Sequence, residues 1–204
     1  MKLRPPPPTG DHLYSERFVE ALQVAAQMHA AQGRKGTTIP YVSHLLGTCS
    51  IALEYGATEE QAIAALLHDA IEDLMPVDEV TATVGYFGEE VLRIVEACTD
   101  AHTKPKPPWL KRKKAYIARL EHEDEAVVLV SASDKLHNAR AIVRDLRDQG
   151  DSVWRRFNAG KDGQLWYYRA LVRAFRKTGH HRALVKELDR TVKRMKRLAG
   201  KGAG

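Results

Sequence analysis

The segment "LLHDAIED" at residues 66–73 holds an imidazole and three carboxylates, from His68, Asp69, Glu72 and Asp73. Apolar helix formers flank it, so the pattern predicts a helix. At ~100° per residue the four ionisable side chains share an arc of about 140°, opposite the apolar residues. Three carboxylates with no Lys or Arg among them repel one another unless a cation neutralises them. The segment is therefore either half of a metal site or the solvated face of an amphipathic helix.

Two other segments place ligand-type residues beside apolar runs. His44 precedes an apolar helix, and Asp134 follows the run at 126–133. Each has an ordinary explanation when taken alone: a satisfied, partly buried histidine, and an aspartate paired with Lys135 or Arg140. Three such segments together favour a metal site, and its mixed nitrogen and oxygen donors suit Mn²⁺, with Zn²⁺ or Fe²⁺ as alternatives. The candidate ligands are His44, His68, Asp69 and Asp134.

Helices are predicted almost throughout, so the fold class is all-α. Thr58 and Gln61 form a capping box at the start of the predicted helix 59–74. Gly56 suits the position just after the end of the predicted helix 42–55. The run "AVVLVSAS" (126–133) has strand propensity but no partner strand, so we expect it to begin a buried helix. The predicted helices cover 14–32, 42–55, 59–74, 77–84, 88–99, 109–121, 126–148, 151–177 and 181–198.

Length and composition are those of one soluble globular domain. The chain has 204 residues, of which 44% are hydrophobic and 28% charged. We expect a domain over 13–198, a disordered proline-rich segment at 1–12 and a flexible tail at 199–204. No run is long enough to span a membrane and no secretory signal is evident, which predicts a cytoplasmic protein without membrane contact. Cys49 and Cys98 are expected to be buried free thiols.

The formal net charge of +6 suits an anionic partner, either nucleic acid or a phosphorylated small molecule. Part of the positive charge is concentrated near the end of the chain. A second group of cations consists of Lys104 and Lys106 in the loop at 101–108 and the run 111–114 after it. At any single one of these positions a solvated basic face is the better explanation. The basic cluster near the end of the chain consists of Arg190, Lys193, Arg194, Lys196, Arg197 and Lys201.

Four stretches in a fixed order carry a family resemblance: "HAAQGRKGTTIPYVSH" (29–44), "AALLHDAIED" (64–73), "FGEEVLRIVEACTD" (87–100) and "SDKLHNARAI" (133–142). The chain resembles the HD-domain metal-dependent phosphohydrolases over about residues 14–175. The closer likeness is to the (p)ppGpp hydrolase domain of the RelA/SpoT family and its small stand-alone alarmone hydrolases. This resemblance implies an HD-domain helical bundle. It also implies Mn²⁺-dependent removal of the 3′-pyrophosphate of ppGpp or pppGpp, a stringent-response activity that yields GDP or GTP and pyrophosphate.

The resemblance also implies roles for individual residues. One Mn²⁺ per chain would be bound by the four candidate ligands already named. Glu72 and Asp73 would position and activate water. Arg34 would pack on the guanine base, Lys35 would face phosphate and Asn138 would face the ribose and phosphates. A tyrosine on a late helix, either Tyr167 or Tyr168, would also contact the nucleotide.

The sequence departs from the family pattern at two positions. Leu45 follows the first histidine ligand where proline is usual, and Ala141 replaces a threonine near the ribose and phosphates. The second change bears on substrate preference. The resemblance to compact relatives implies an alternative substrate, another 3′- or 2′-phosphorylated nucleotide such as NADPH. A third interpretation is a non-enzymatic helical module that binds nucleic acid through its basic cluster. The acidic segment argues against it, so a guanosine nucleotide is the expected partner and nucleic acid is not; the sequence leaves the oligomeric state open.

Overall fold

The computed structural model describes residues 14–103 and 105–200. The predicted segment 1–12 and residues 201–204 of the predicted tail lie outside them. The described part is all-α and contains no strand, only an isolated bridge between Gly33 and Pro40 in the loop after the first helix. The α-helices are α1 (Glu16–Met28), α2 (Val42–Glu54), α3 (Glu59–Leu67), α4 (Ala70–Asp73), α5 (Val77–Gly85), α6 (Glu89–Cys98), α7 (Trp109–Leu120), α8 (Glu125–Gln149), α9 (Gly160–Thr178) and α10 (Arg182–Ala199).

The local signals for helix ends are confirmed around α3. Thr58 accepts the amide of Gln61, and the Gln61 side chain accepts the amide of Thr58, so the predicted capping box is formed. Gly56 has φ +86°, a conformation that glycine adopts without strain. These two features start α3 at the residue expected from the sequence and turn it back against α2.

The prediction of one continuous helix over 59–74 is wrong. Helix α3 ends at Leu67 and α4 begins at Ala70, with His68 and Asp69 between them. Asp69 has φ −97° and ψ −4°, away from regular helical values. The imidazole of His68 bonds the carbonyl of Ala65 at 2.9 Å, and a regular helix uses that carbonyl for the amide of Asp69. The interruption thus falls on the two residues with metal-ligand chemistry.

The predicted helix over 151–177 is also interrupted. A 3₁₀ helix covers Gly150–Arg156, and α9 starts only at Gly160. Gly150 and Gly160 both have φ +59°, in the left-handed region that favours glycine. The chain therefore turns twice where periodicity alone suggests a single helix.

Helix α8 is the central element of the fold. It runs for 25 residues and packs against α2, α3, α6 and α10. The run at 126–133 forms its first turns and is buried, which confirms the choice of helix over strand. Burying apolar side chains on several faces removes them from water and stabilises the fold. The same burial brings Asp134 on α8 close to α2 and α3.

Two further predictions, about membrane-spanning segments and about the two cysteines, can be compared with the structure. In the part of the chain that is described, no helix has both the length and the apolar character that crossing a bilayer requires. Cys49 and Cys98 are free and buried, as expected from their positions in apolar helices. Burial raises the pKa of both thiols to about 12, so they are protonated at neutral pH.

Candidate active site

Four side chains from three regions of the chain converge at one point. His44 comes from the first turn of α2, His68 and Asp69 from the break between α3 and α4, and Asp134 from α8. The Nε2 atom of His44 lies 3.4 Å from Asp69 Oδ2 and 3.2 Å from Asp134 Oδ1. The Nε2 atom of His68 lies 3.0 Å and 3.7 Å from the same two oxygens. The ligand atoms of His44, His68 and Asp134 all lie within 4.8 Å of one another, and Asp69 joins this group through its contacts with both imidazoles.

The donor atoms fit a divalent cation. Both Nε2 atoms are buried and lack a hydrogen-bond partner in the described part of the chain, an arrangement that costs free energy unless a ligand occupies it. Two ligand atoms that each lie about 2.1 Å from an ion are ~3.0 Å apart when the ligand–metal–ligand angle is a right angle, and ~3.4 Å apart when it is tetrahedral. The observed separations of 3.0–3.7 Å span this range. His44, His68 and Asp134 are fully buried, whereas Asp69 is partly exposed at the cleft side.

Both carboxylates are held in the ionised form that metal binding needs. Burial alone would raise the pKa of Asp69, but His68 and His44 outweigh it and bring the pKa well below its usual range. The pKa of Asp134 is likewise lowered despite burial, by Lys135 and the two imidazoles. The ordinary explanation of Asp134, an ion pair with Lys135, is therefore also present. Arg140 pairs with Glu187 instead.

Each histidine is oriented through its other ring nitrogen, as is usual for metal ligands. The Nδ1 atom of His68 donates to the carbonyl of Ala65, which turns its Nε2 atom toward the site. Burial would lower the pKa of His68, but Asp69 and Asp134 outweigh it and raise the pKa to about 10, so a bound cation would take the place of the Nε2 proton. The Nδ1 atom of His44 lies 2.8 Å from Nδ1 of His137 on α8. Burial and the neighbouring His44 lower the pKa of His137 to about 4, so His137 is neutral at pH 7 and can accept this hydrogen bond from the His44 tautomer that carries its proton on Nδ1.

The close approach of His137 depends on Gly47, one turn after His44 on α2. A Cβ atom built on Gly47 would overlap the imidazole of His137. The absence of a side chain at residue 47 therefore allows α8 to place His137 against the metal ligand. Sequence patterning did not single out either residue.

Tyr41 supports Asp69, one of the predicted ligands. Its hydroxyl donates to Asp69 Oδ2 at 2.6 Å, and its ring stacks on His29 with centroids 5.1 Å apart. The guanidinium of Arg34 lies 5.5 Å from the Tyr41 ring centroid, on the side toward the cleft. The loop between α1 and α2 thus links the metal group to the predicted base-binding arginine.

The carboxylates of the predicted catalytic pair, Glu72 and Asp73, are paired with a cation, although the sequence around them contains no Lys or Arg. Lys106 Nζ lies 2.8 Å from Glu72 Oε1 and 3.3 Å from Asp73 Oδ1. Gln32 Nε2 also donates to Asp73 Oδ2 at 3.0 Å. The compensating cation comes from the connection between α6 and α7, which local spacing cannot reveal. Burial, followed by the nearby carboxylate of Asp100, raises the pKa of Glu72.

A buried ion cluster lies behind Glu72. The Asp100 side chain is 2% exposed and contacts both Arg112 and Lys113 on α7. Arg112 also lies 3.7 Å from Glu72 Oε1. Burial would raise the pKa of Asp100, but Lys113 and Arg112 outweigh it and the pKa falls. Asp100 therefore anchors two cations beside the acidic pair.

The metal group lies at one side of a cleft of about 850 Å³ that all the predicted substrate-binding residues line. Asn138 connects the two sides of the cleft: its Nδ2 donates to Asp134 Oδ1, and its Oδ1 accepts from Arg34. Lys35 is exposed and donates to Asn158 at 3.1 Å. The predicted residues that line the cleft are Arg34, Lys35, Asn138, Tyr167, Tyr168, Asp69, Glu72, Asp73 and Asp134.

The two candidate tyrosines of α9, Tyr167 and Tyr168, are distinguished by the buried hydroxyl of Tyr167. Both are buried and line the cleft. The hydroxyl of Tyr167 is buried without a hydrogen-bond partner in the described part of the chain, and Lys113 Nζ lies 5.0 Å from its ring centroid. A buried hydroxyl without a partner is expected to bond a ligand. This favours Tyr167 as the nucleotide contact.

A family model described as "HD domain" matches residues 21–165. The chain belongs to the HD-domain family. Its HD-domain relatives include human guanosine-3′,5′-bis(diphosphate) 3′-pyrophosphohydrolase MESH1, which is 39% identical over 134 residues, covering 63% of this chain and 70% of the human protein. The enzyme of the same activity name from Aquifex aeolicus is 33% identical over 131 residues, covering 63% of this chain and 18% of that protein.

Solved structures of similar HD-domain proteins extend this likeness. One is a metazoan ortholog of SpoT, described as hydrolysing ppGpp and having a role in starvation responses. It matches with a TM-score of 0.70 and 29% identity over 88% of this chain and 95% of that one. The protein lmo0812 from Listeria monocytogenes matches with a TM-score of 0.63 and 28% identity, over 77% of this chain and 99% of that one.

Proposed function

We propose that this chain is a guanosine-3′,5′-bis(diphosphate) 3′-pyrophosphohydrolase. It removes the 3′-pyrophosphate of ppGpp or pppGpp, consumes one water, and releases GDP or GTP and pyrophosphate. The observation that carries this proposal is the group of two buried, unpartnered imidazole nitrogens and two carboxylates beside a cleft with cationic walls. The human relative, 39% identical, carries the same activity name.

His44, His68, Asp69 and Asp134 are the proposed ligands of one divalent cation per chain. We propose Mn²⁺ because two imidazoles and two carboxylates form a mixed nitrogen and oxygen site with room for further ligands, and Zn²⁺ or Fe²⁺ suit the same donors. A bound divalent cation supplies Lewis-acid activation of a phosphoryl group and of water. The protein contributes the orientation of both imidazoles through Ala65 and His137.

Glu72 is the proposed general base. It lines the same cleft as Asp69, and its raised pKa makes it a better proton acceptor than an ordinary glutamate. Asp73 is held by Gln32 and Lys106, so its role is to keep the acidic pair in position beside the reacting phosphate. In this scheme the water proton passes to Glu72, the water oxygen forms a bond to phosphorus, and the bond between phosphorus and the 3′-oxygen breaks. Return of that proton to the 3′-oxygen gives the ribose hydroxyl of GDP or GTP.

The cationic wall of the cleft matches a substrate with two phosphate chains. Lys35 and Lys113 line the cleft, and Lys135 lies beside Asp134. Charge-assisted hydrogen bonds to phosphate oxygens are stronger than neutral ones, so these groups would bind the substrate chiefly through its phosphates. Arg34 stacks on the base and Tyr167 donates its free hydroxyl to the nucleotide in this proposal.

The decisive experiment measures hydrolysis of ppGpp by purified protein after chelation and after re-addition of metal. We expect chelation to abolish release of pyrophosphate and Mn²⁺ to restore it. Asp69→Asn should lose both metal and activity, whereas Asp78→Asn, at an exposed position on α5, should keep both. Full turnover after complete chelation would disprove the metal mechanism.

The same assay should include pppGpp and NADPH, because Ala141 lines the cleft where the family pattern has threonine. We expect the two guanosine substrates to have the higher kcat/KM. A higher kcat/KM for NADPH would change the assigned substrate and leave the metal site unaffected.

A further inference from the structure

A second concave site lies between α8 and α10. It is a groove of about 520 Å³, which lies in the usual size range of small-molecule sites. Arg190, Arg194 and Arg197 reach it from successive turns of α10, and Arg140 and Arg147 reach it from α8. We call it the α8–α10 groove; it is lined by Arg140, Val143, Arg147, Glu187, Arg190, Thr191, Lys193, Arg194 and Arg197.

The positive charge of the α8–α10 groove is not balanced by the protein. Arg140 pairs with Glu187, and Lys193 lies 2.8 Å from Asp189. Among residues 14–103 and 105–200, no acidic group lies within ion-pair distance of the other four guanidinium groups. Guanidinium groups gathered in one concavity repel one another, and an anion bound among them would relieve that repulsion. The four unpaired side chains are Arg147, Arg190, Arg194 and Arg197.

The lining of the groove indicates which anion fits. It holds arginines, which bind phosphate oxygens through two parallel hydrogen bonds, and the hydroxyl of Thr191. It has no aromatic lining residue, so it offers no stacking surface of the kind that single-stranded nucleic-acid sites use for bases. Glu187, the lining residue of α10 nearest its start, already pairs with Arg140, so the lining guanidinium groups without an acidic partner among the described residues are Arg147 and those on the later turns of α10.

We propose that the α8–α10 groove is a second anion site, which binds a short polyphosphate chain through its phosphates alone. The chain is either free or attached to a nucleoside. The site is distinct from the proposed metal site, although Arg140 lines both the groove and the active-site cleft. The proposal does not depend on the substrate assigned above.

The test is a calorimetric titration of the full chain with inorganic tripolyphosphate, for the native protein and two variants. Arg194→Glu reverses a charge inside the groove. Lys196→Glu makes the same change in net charge at an exposed position of α10 outside the groove. We expect Arg194→Glu to weaken binding by about tenfold or more, as for loss of a charge-assisted contact, and Lys196→Glu by less than about twofold.

Two further measurements separate this site from the active site. Both variants should hydrolyse ppGpp with native kcat and KM, and both should have native circular dichroism and thermal melting. ATP carries the same phosphate chain on adenosine, and we expect Arg194→Glu to weaken ATP and tripolyphosphate binding to a similar extent. An effect on ATP alone would contradict recognition through phosphate only.

Three results would overturn the proposal. Equal weakening by both variants would mean that only net charge matters. If Arg194→Glu leaves tripolyphosphate binding unchanged and ppGpp displaces the bound tripolyphosphate, then the active-site cleft alone binds tripolyphosphate. The native protein could also bind a DNA duplex about two helical turns long and no tripolyphosphate. If both variants then lost the DNA binding, the groove would be part of an extended nucleic-acid surface instead.

Discussion

Lys106 Nζ lies 2.8 Å from Glu72 Oε1, so the proposed general base is paired with a cation from the connection between α6 and α7. The same ammonium lies 3.3 Å from Asp73 Oδ1. Burial and Asp100 raise the pKa of Glu72, whereas Lys113 and Lys106 lower it. Lys106 therefore limits how far the pKa of the base rises, which makes it a positioning residue for the acidic pair.

Lys106→Met should shift the pH dependence of turnover. Without the ammonium, the pKa of Glu72 rises further, so the acidic limb of the kcat profile should move to higher pH. At pH values below the pKa of the base, each pKa unit of further rise lowers the ionised fraction tenfold, so kcat on the acidic limb should fall by about tenfold for a shift of about one unit. Lys106→Arg should retain most activity, and Lys111→Met, at an exposed position on α7, should behave like the native enzyme. An unchanged pH profile in Lys106→Met would contradict this role.

Glu72→Gln should separate chemistry from binding. The amide keeps the size of the side chain but cannot accept the water proton. We expect kcat to fall by about 10²–10⁴, the usual contribution of a general base, with about one metal per chain and native affinity for ppGpp. Metal content and turnover should be measured on the same preparation. Loss of metal along with activity would make Glu72 a ligand.

Arg34→Ala should weaken substrate binding more than it slows chemistry. Arg34 lies over Tyr41 and donates to Asn138, which places its guanidinium at the cleft wall. We expect KM for ppGpp to rise by about tenfold with a smaller change in kcat. Arg34→Lys keeps the charge but not the planar group, so it should recover little if stacking on the base is the main contribution. Native KM values in both variants would place base recognition elsewhere.

Tyr167→Phe and Tyr168→Phe should differ. Of these two tyrosines, only Tyr167 has a buried hydroxyl without a hydrogen-bond partner among the described residues. Removing it should raise KM for ppGpp by about tenfold, the loss of one hydrogen bond to a charged group, and should not lower the thermal stability of the free protein. Tyr168→Phe should change KM by less than about twofold. The reverse order of effects would assign the nucleotide contact to Tyr168.

Asp100→Asn should destabilise the fold because it leaves Arg112 and Lys113 without their shared partner. We expect the free energy of unfolding at pH 7 to fall by about 3 kcal/mol, as for a broken buried ion pair. The folded-state pKa of Asp100 is lowered, so its contribution is present above the unfolded-state pKa and is lost as the pH falls through the folded-state value. Urea denaturation should therefore show a native–variant difference that decreases below about pH 4.

Sequence patterning predicted the features that depend on neighbours along the chain. The α3 capping box, the helical state of the valine run and the ligand-type character of His44 and Asp134 were all readable locally. The partners of the acidic pair were not, because Lys106 reaches Glu72 only through the packing of the α6–α7 connection. The three carboxylates with no cation nearby in sequence do line the cleft, but the inference that no cation pairs with them is wrong, because Lys106 contacts both Glu72 and Asp73.

Local periodicity also missed the break at His68 and Asp69 and the support of His44 by His137. A helical wheel assumes regular hydrogen bonding, but the His68 side chain bonds the Ala65 carbonyl. The contact between His44 and His137 joins α2 to α8, and no spacing within either helix predicts it. These interactions depend on tertiary packing, which determines how the predicted ligands are oriented.

The overlap that a side chain on Gly47 would have with His137 makes these two positions an interdependent pair. Any lineage that acquires alanine at residue 47 must move α8 or replace the imidazole, and either change alters how His44 is held. Residues 47 and 137 should therefore covary across aligned relatives: glycine should accompany histidine, and larger residues at 47 should accompany smaller side chains at 137. Enzyme redesign of this site should accordingly change both positions together.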